Sequence, residues 1–178
     1  MDIKQIALKI ENAGGRLYLV GGAVRDKFLG IENFDEDYVV VRLTSSEFNS
    51  LFPEAFSRGK SFEVWDIGGK EFAMARVERK TGTGHKEFEI KTGKEITIEE
   101  DLKRRDITIN AIAEDVLTGE IIDPFGGRED LESKVIKAVS ESFAEDPLRV
   151  YRVARIAAKL EFKVEENTLK LMNKLKPE

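Results

Sequence analysis

Two acidic residues, Asp35 and Asp37, have a spacing that suits a metal-binding pair. The segment 35–41 (DEDYVVV) ends in β-branched residues, which predicts a strand. Side chains two apart on a strand leave the same face, with Cα atoms roughly 6.6–7 Å apart, so both carboxylates could bind one hard cation. Oxygen ligands suit Mg²⁺, which takes its other ligands from water and substrate phosphates. Glu36 points to the opposite face, and two solvated acids at the start of a strand are an equally open interpretation.

A glycine pair, Gly21 and Gly22, follows the apolar segment 16–20 and precedes the segment 23–29, which we predict to be a strand and a short helix. Glycine lets backbone amides approach an anion, and the start of a helix adds a favourable dipole. Arg25, one turn into the helix, could reach a phosphate with its planar guanidinium. The segment matches neither GxGxxG nor GxxxxGK[ST], so it indicates neither a Rossmann nor a P-loop site. A simple tight turn is the alternative.

A run of arginines spaced by three, Arg149, Arg152 and Arg155, shares a slowly drifting face of a predicted helix. Asp146 and Pro147 stand before it, in the order typical of an N-cap followed by the first helical residue. Basic faces of this kind are often only solvated, so the charges alone do not establish a binding role.

The composition narrows the available chemistry. The chain of 178 residues has no cysteine and one histidine, His85, which excludes disulfides, thiolate zinc sites, cysteine nucleophiles and multi-histidine metal sites. The 29 Lys and Arg against 34 Asp and Glu give a net charge of −5, which argues weakly against dominant non-specific nucleic-acid binding. No apolar run approaches the ~18 residues of a membrane span, and nothing resembles a signal peptide. We therefore expect a cytoplasmic protein with no membrane partner.

The elements that must position these residues are mixed strands and helices, followed after about residue 139 by helices alone. Residues 81–93 (TGTGHKEFEIKTG), with His85, are predicted to be a mobile, solvated loop. Four further helices are predicted: one between Asp2 and Gly14, one from a Thr97/Glu100 capping box toward 105 with a further turn near 106, one after Asp146 and one at 165–175. The remaining predicted strands form a hairpin of 62–67 and 71–77 across Gly68-Gly69 and a pair at 114–116 and 120–123 around Gly119.

Five motifs, taken in order, resemble those of the class II tRNA nucleotidyltransferases, the CCA-adding enzymes, and of the related bacterial poly(A) polymerases. They are residues 19–26 (LVGGAVRD), 35–37 (DED), 104–111 (RRDITINA), 123–127 (DPFGG) and 145–152 (EDPLRVYR).

A sixth segment, 75–84 (ARVERKTGTG), is similar to the bacterial CCA-adding enzymes rather than to the polymerases. The resemblance covers roughly residues 16–175 and implies an α+β fold. Residues 1–140 would form a DNA-polymerase-β-like nucleotidyltransferase head with a mixed sheet, and 141–178 the first helices of an all-α neck.

The resemblance implies a role for each matching position. Asp35 and Asp37 would bind Mg²⁺, and Gly21, Gly22 and Arg25 would grip the triphosphate.

The third motif would face the sugar and phosphates of the nucleotide through Arg105, Asp106 and Asn110. An acceptor at Asp106 for the 2′-OH would help select ribonucleotides, and a helix N-cap is the alternative role of this residue.

Asp146 and Arg149 resemble the base-reading pair of the family. The carboxylate would accept from the exocyclic amine of cytosine or adenine, while the arginine donates to ring acceptors. Uracil and guanine present a carbonyl at that position. Asp146 also fits an N-cap, and Arg152 would support either the phosphates or the base reader.

The implied activity is Mg²⁺-dependent transfer of C and A from CTP and ATP to the 3′ end of tRNA, with release of pyrophosphate. A poly(A) polymerase, a CC-only or A-only enzyme, a small-molecule nucleotidyltransferase and an inactive nucleotide-binding fragment are alternatives. The family continues into a helical body that holds tRNA, so we expect this chain to be a fragment. Loop 81–93 is expected to order when addition switches from C to A.

Overall fold

The computed structural model of the chain describes residues 1–32, 35–58, 63–80 and 88–175. Its strands are β1 (Arg16–Val20), β2 (Asp37–Val41), β3 (Phe56–Arg58), β4 (Val64–Ile67), β5 (Lys70–Met74), β6 (Arg76–Lys80), β7 (Phe88–Thr92), β8 (Ala113–Asp115), β9 (Ile121–Ile122), β10 (Val135–Ile136) and β11 (Lys163–Val164). Its helices are α1 (Ile3–Asn12), α2 (Gly22–Phe28), α3 (Ser45–Leu51), α4 (Ile98–Lys103), α5 (Gly127–Glu132), α6 (Leu148–Leu160) and α7 (Glu166–Lys174), with 3₁₀ turns at Thr108–Asn110 and Glu141–Glu145.

A seven-stranded mixed sheet, ordered β3-β4-β5-β2-β1-β8-β9, positions the acidic residues. β2 runs parallel to β5 and antiparallel to β1. The register places Asp37 opposite Val20 on one side and opposite Glu71 on the other. The predicted α+β architecture with a mixed sheet is confirmed, and Asp37 lies where β1 ends and the glycine turn begins.

The strand that carries the acidic pair is shorter than predicted. It begins at Asp37, so Asp35 precedes it and does not lie on it. β2 is short because its pairing partner β1 ends at Val20, opposite Asp37. Gly21 then turns the chain away, so residues before Asp37 have no β1 residue to pair with. The two carboxylates therefore do not share a strand face as the spacing predicted.

The glycine-linked hairpin is confirmed as β4 and β5, with Gly68 and Gly69 both at positive φ, 63° and 82°. Such a two-residue turn needs positive φ at both positions, which glycine adopts without strain. The second predicted strand is too long, because it ends at Met74, and residue 62 lies outside the described residues.

The predicted loop 81–93 is partly wrong. Its last part is β7, which pairs antiparallel with β6 in a separate two-stranded sheet. The alternation of Phe88 and Ile90 with charged residues is a strand pattern that the surrounding glycines and threonines obscured. Residues 81–87, including His85, lie outside the described residues.

Helix starts follow local chemistry closely. Asp2 and Thr97 each cap a helix through a complete capping box. At α6, the capping position is Pro147 rather than Asp146, although an Asp146 oxygen accepts from the Leu148 amide at 2.9 Å. The N-cap expected for Asp146 is thus displaced by one residue.

The helical segment that follows residue 140 packs onto the rest of the chain. One apolar cluster joins Ile109 and Ile112 to Phe143, Val153 and Leu171. The prediction of helices alone after about residue 139 is wrong in one place, because β11 (Lys163–Val164) lies there and pairs with β10 across the predicted boundary. The boundary at 140 stays a prediction, with a continuous core on both sides of it. Every helix in the described ranges is too short or too polar to span a bilayer.

Candidate functional site

A cleft of about 540 Å³ opens where the sheet, the end of α4 and the start of α6 meet. All the predicted site residues line it except Asp35 and Arg25. The lining residues are Val20, Gly21, Gly22, Asp37, Tyr38, Val39, Val64, Glu71, Phe72, Ala73, Arg76, Glu78, Arg104, Arg105, Asp106, Asn110, Asp146, Leu148, Arg149 and Arg152.

The acidic part of the cleft is built around Asp37. Partial burial and the nearby charge of Asp35 raise the pKa of Asp37, and Glu71 raises it further, while Arg105 and Arg152 oppose the shift. Mutual repulsion of this kind favours a bound cation, which would relieve it. In the described residues, however, no three His, Cys, Asp or Glu side chains form a metal-binding group. Carboxylate oxygens are the ligand type of a hard cation whose other ligands come from water or phosphate, and the role of Asp35 and Asp37 as metal ligands stays a prediction.

The segment between the two aspartates is braced from the opposite side. Glu36 accepts from the Tyr38 hydroxyl at 3.0 Å and forms an ion pair with Lys70, the first residue of β5. Burial raises the pKa of Tyr38 to about 12, so its hydroxyl remains a donor. As predicted, Glu36 does not join the acidic pair, and its contacts hold the start of β2 against β5.

Gly21 is required by both backbone and space. Its φ is +72°, and a Cβ there would lie 2.9 Å from Nη1 of Arg105. The glycine turn thus lets the guanidinium of Arg105 lie directly against the backbone. The Nε atom of Arg105 is buried and makes no hydrogen bond within the described residues, which leaves one donor unsatisfied in the cleft wall.

Arg25 is a buried cross-link in this structure. Its Nε donates to Asp26 at 2.7 Å, and its Nη1 donates to the side-chain oxygen of Asn110 at 2.7 Å. Those contacts tie α2 to the 3₁₀ turn at Thr108–Asn110. The role of Arg25 at a triphosphate stays a prediction, and its position is behind the cleft wall rather than on it.

A buried charge network under the cleft was missed by the sequence reasoning. Asp101, fully buried, accepts from Arg104 at 2.9 and 3.0 Å, from Arg105 at 3.2 Å and from the Arg76 backbone amide at 3.1 Å. Burial by itself raises the pKa of Asp101, but Arg104 and Arg105 outweigh it, so the net pKa lies below the ordinary value. Glu78 adds contacts to Arg76 at 2.9 Å and to Arg104 at 3.1 Å.

Asp106 links the sheet side of the cleft to α6. Its Oδ2 accepts from Nε of Arg152 at 2.8 Å. Its Oδ1 accepts from the backbone amide of Ile107 and, more weakly, from the side chain of Asn110 at 3.4 Å. Burial raises the pKa of Asp106, but the charge of Arg152 together with the hydrogen bonds from Arg152, Ile107 and Asn110 outweighs burial, so the net pKa is lowered. Asp106 is therefore an ionised, buried acceptor rather than a helix N-cap, since the following 3₁₀ turn is capped by Ile107.

Asp146 and Arg149 are brought together at the start of α6. The buried Arg149 donates to two backbone carbonyls, those of Ser142 at 3.0 Å and Arg104 at 2.8 Å. A guanidinium has five N–H donors, and these two carbonyls use two of them. Its second contact fixes the arginine to the motif that carries Arg105 and Asp106.

The missed residues had little signal in the sequence. Asp101 follows two other acids in a first helical turn, where acids commonly interact with the helix dipole. Arg76 and Glu78 alternate on a strand and resemble a solvated face. Only the tertiary packing of β6 against α4 distinguishes them.

Comparisons with known proteins agree with this geometry. Residues 17–137 match the family model described as the Poly A polymerase head domain. Proteins named Multifunctional CCA protein are similar: that of Aromatoleum aromaticum is 51% identical over 160 residues, covering 88% of this chain and 39% of the relative. That of Vibrio vulnificus is 50% identical over 165 residues, covering 89% and 40%. The chain thus spans about two fifths of the length of these curated relatives.

Solved structures give the same result. The apo form II of a CCA-adding enzyme superposes with a TM-score of 0.80 at 31% identity, covering 97% of this chain and 44% of that one. The Bacillus stearothermophilus CCA-adding enzyme in complex with CTP gives 0.77 at 33%, covering 94% and 41%. A tRNA nucleotidyltransferase complexed with a primer tRNA and an incoming ATP analog gives 0.74 at 36%, covering 98% and 49%. Because the family model matches more than half of the chain and the cleft brings the predicted motifs together, this chain belongs to the Poly A polymerase head domain family.

Proposed function

We propose that this chain carries the catalytic part of a template-independent RNA nucleotidyltransferase that adds C and A to the 3′ end of tRNA from CTP and ATP. The observation that carries the proposal is a single cleft with Asp37 in one wall and the Asp146/Arg149 pair in another. Relatives named CCA proteins and the solved complexes with CTP and with primer tRNA support it.

The acidic part would hold the metal. Members of this family generally use a divalent metal ion, and we propose Mg²⁺ bound by Asp35 and Asp37 with phosphate oxygens of the nucleotide. When bound, the ion would lower the pKa of the RNA 3′-hydroxyl and stabilise charge on the phosphates. Burial is the main cause of the raised pKa of Asp37, and the charge of Asp35 is the second. The second cause supports this assignment, because a bound cation would relieve the repulsion between the two carboxylates.

The triphosphate would lie against the cations nearest Asp37. Arg105 and Arg152 both act on the charge of Asp37, so both lie close enough to neutralise phosphate charge. Gly21 and Gly22 line the cleft with backbone that a phosphate can approach, and the side chain of Arg105 lines the cleft beside them. Arg25 does not line the cleft and would contribute indirectly, by a hydrogen bond that holds the side chain of Asn110 in place.

The base would be read by Asp146 and Arg149. The Leu148 amide occupies Oδ1 of Asp146, and Oδ2 would accept from the exocyclic amine of cytosine or adenine. Because two carbonyls fix the plane of Arg149, its remaining donors have a defined direction toward the ring acceptors. Uracil or guanine would set a carbonyl against the carboxylate.

The ribose would meet Asp106 and Asn110. A carboxylate has about four acceptor positions, and the protein donors occupy three of them at Asp106. The remaining position would accept from a 2′-hydroxyl, which favours ribonucleotides.

Addition of A alone is the second candidate, because the matching family model is that of poly A polymerases. The same experiment separates the two. Since the proposed substrates are cytoplasmic molecules, we also propose a cytoplasmic location.

The test is incorporation of labelled CTP or ATP, with Mg²⁺, into tRNA that ends before CCA. The expected product is ordered addition of two C and one A. Asp35→Asn and Asp37→Asn should each abolish addition, while Glu32→Gln, an exposed acid nearby in the sequence, should have no effect.

Incorporation that survives both aspartate substitutions would remove the metal assignment. A ladder of A without C would favour the poly(A) alternative, and CTP binding without any incorporation would favour a nucleotide-binding fragment.

A further inference from the structure

Helix α6 is basic, although the chain as a whole has a net negative charge. Its thirteen residues contain no acid and four cations, whereas the whole chain has a net charge of −5. The cations are Arg149, Arg152, Arg155 and Lys159.

The same helix exposes apolar side chains at its first turn, beside the cleft. Tyr151 is 68% exposed, the largest value among the large hydrophobic residues described, and Leu148 is 49% exposed. Leu148 also lines the cleft, and residues three apart on a helix are neighbours on its surface. Tyr151 therefore lies next to Leu148 on the helix surface, at the outer edge of the cleft.

A cation completes this surface. Arg155, four residues after Tyr151, is exposed, and the ion pairs that α6 makes within the described residues come from Arg152 and Lys159. Arg152 and Lys159 face Asp106 and Asp26 instead. We name Leu148, Tyr151 and Arg155 the rim surface.

We propose that the rim surface binds the unpaired 3′-terminal nucleotides of the RNA that receives the new nucleotide, with a base stacked on Tyr151 and a phosphate on Arg155. This inference rests on the proposed function and names where its second substrate lies. Aromatic rings stack on any base without regard to sequence, and cations alongside them track the backbone.

Charge favours RNA over a protein partner here. Tyr and Arg also occur at protein interfaces, but a helix with four cations and no acid, in a chain of net charge −5, is complementary to the phosphates of RNA. An RNA end, by contrast, needs both a stacking face and cations. The rim also adjoins the cleft in which a nucleotide would be joined to that end.

The experiment measures binding of a 5′-fluorescein acceptor-stem RNA hairpin, ending in an unpaired CC, by fluorescence anisotropy with the whole chain. Tyr151→Leu keeps apolar bulk but removes the aromatic face, and should weaken binding about 5- to 150-fold, the range expected for loss of one stacked base. Tyr151→Phe and Tyr151→Trp should retain binding. Phe28→Leu, an exposed aromatic on α2, is the matched control and should have no effect.

Two further measurements separate the outcomes. Arg155→Gln should lower the slope of log affinity against log salt by about 0.7, the value for one phosphate contact on a single strand. CTP binding, measured by calorimetry, should be unchanged in Tyr151→Leu.

Wild-type RNA affinity in Tyr151→Leu, or no RNA binding by the wild type, would overturn the rim surface. Loss of RNA binding equally in Tyr151→Phe would also overturn it, because stacking would not be the cause. Failure of the wild type to bind CTP, with Tyr151-dependent RNA binding intact, would instead refute the proposed function and leave the rim surface standing.

Discussion

Replacing Asp101 with asparagine tests the buried charge network beneath the cleft. The side chain is fully buried and accepts from Arg104, Arg105 and the Arg76 amide. Removing one partner of a buried ion pair costs ~3–5 kcal/mol. Asparagine keeps one acceptor oxygen, worth ~1 kcal/mol as a neutral hydrogen bond. We therefore expect Asp101→Asn to lower the free energy of unfolding by about 2–4 kcal/mol at pH 7.

The assay is urea unfolding followed by the fluorescence of Trp65, the sole tryptophan, whose side chain is fully buried. With a urea m-value of about 2 kcal/mol/M, the expected loss moves the midpoint down by about 1–2 M. Glu99→Gln removes an exposed acid from the same first turn of α4 and is the matched control. It should stay within about 0.5 kcal/mol of the wild type.

The pH dependence of the loss gives a second check. The pKa of Asp101 is lowered in the folded state, so its contribution is fully present above the unfolded pKa of about 3.9 and fades as the pH falls through the folded pKa. The difference between wild type and Asp101→Asn should therefore be largest at pH 7 and shrink below about pH 4. An equal difference at pH 3 and pH 7, or a loss under about 0.5 kcal/mol at pH 7, would refute the reasoning.

Two other predictions concern the cleft itself. Gly21→Ala and Gly30→Ala both place a side chain at positive φ, +72° and +66°, but only at Gly21 does the new Cβ approach another group, Arg105 Nη1 at 2.9 Å. Both should lower the melting temperature, by at least about 1–2 kcal/mol, and Gly21→Ala should lower it more, because φ +72° with ψ −131° is a region open mainly to glycine. Only Gly21→Ala should also weaken CTP binding, and equal CTP affinity in the two variants would argue against the close approach. Arg149→Lys replaces a planar fork, whose Nη1 and Nη2 bond different carbonyls, with one nitrogen that cannot reproduce this geometry. Discrimination of C and A against U and G should therefore fall by about 1–3 kcal/mol, or roughly 5- to 150-fold, in competition assays with all four nucleotides. Unchanged discrimination would remove Arg149 from base reading.

Local rules explain which elements the sequence predicts correctly. The capping boxes at Asp2 and Thr97 and the turn at Gly68-Gly69 depend on residues within four positions of each other, so they are visible in the sequence. The order of the family motifs, and not hydrophobic periodicity, predicts the cleft residues. Most of the predicted residues line one cavity.

Tertiary packing explains what the sequence does not reveal. Arg25 contacts Asn110, 85 positions away, which no local spacing predicts. Asp101 differs from Glu99 only in facing inward against two arginines. The spacing of Asp35 and Asp37 suits two residues of one strand. However, β2 starts only at Asp37, because its partner β1 ends at Val20, and the end of β1 depends on the packing of the whole sheet.

The apolar cluster that joins the two sides of residue 140 bears on how this family can be recombined. Phe143 and Val153 are fully buried in the same cluster as Ile109 and Ile112. A chimaera that exchanged the helical segment with that of a relative would have to exchange these contact residues too, or leave a poorly packed interface beneath the proposed base reader. If Asp146 and Arg149 select the nucleotide as proposed, that selectivity would be transferred intact only together with the packing residues.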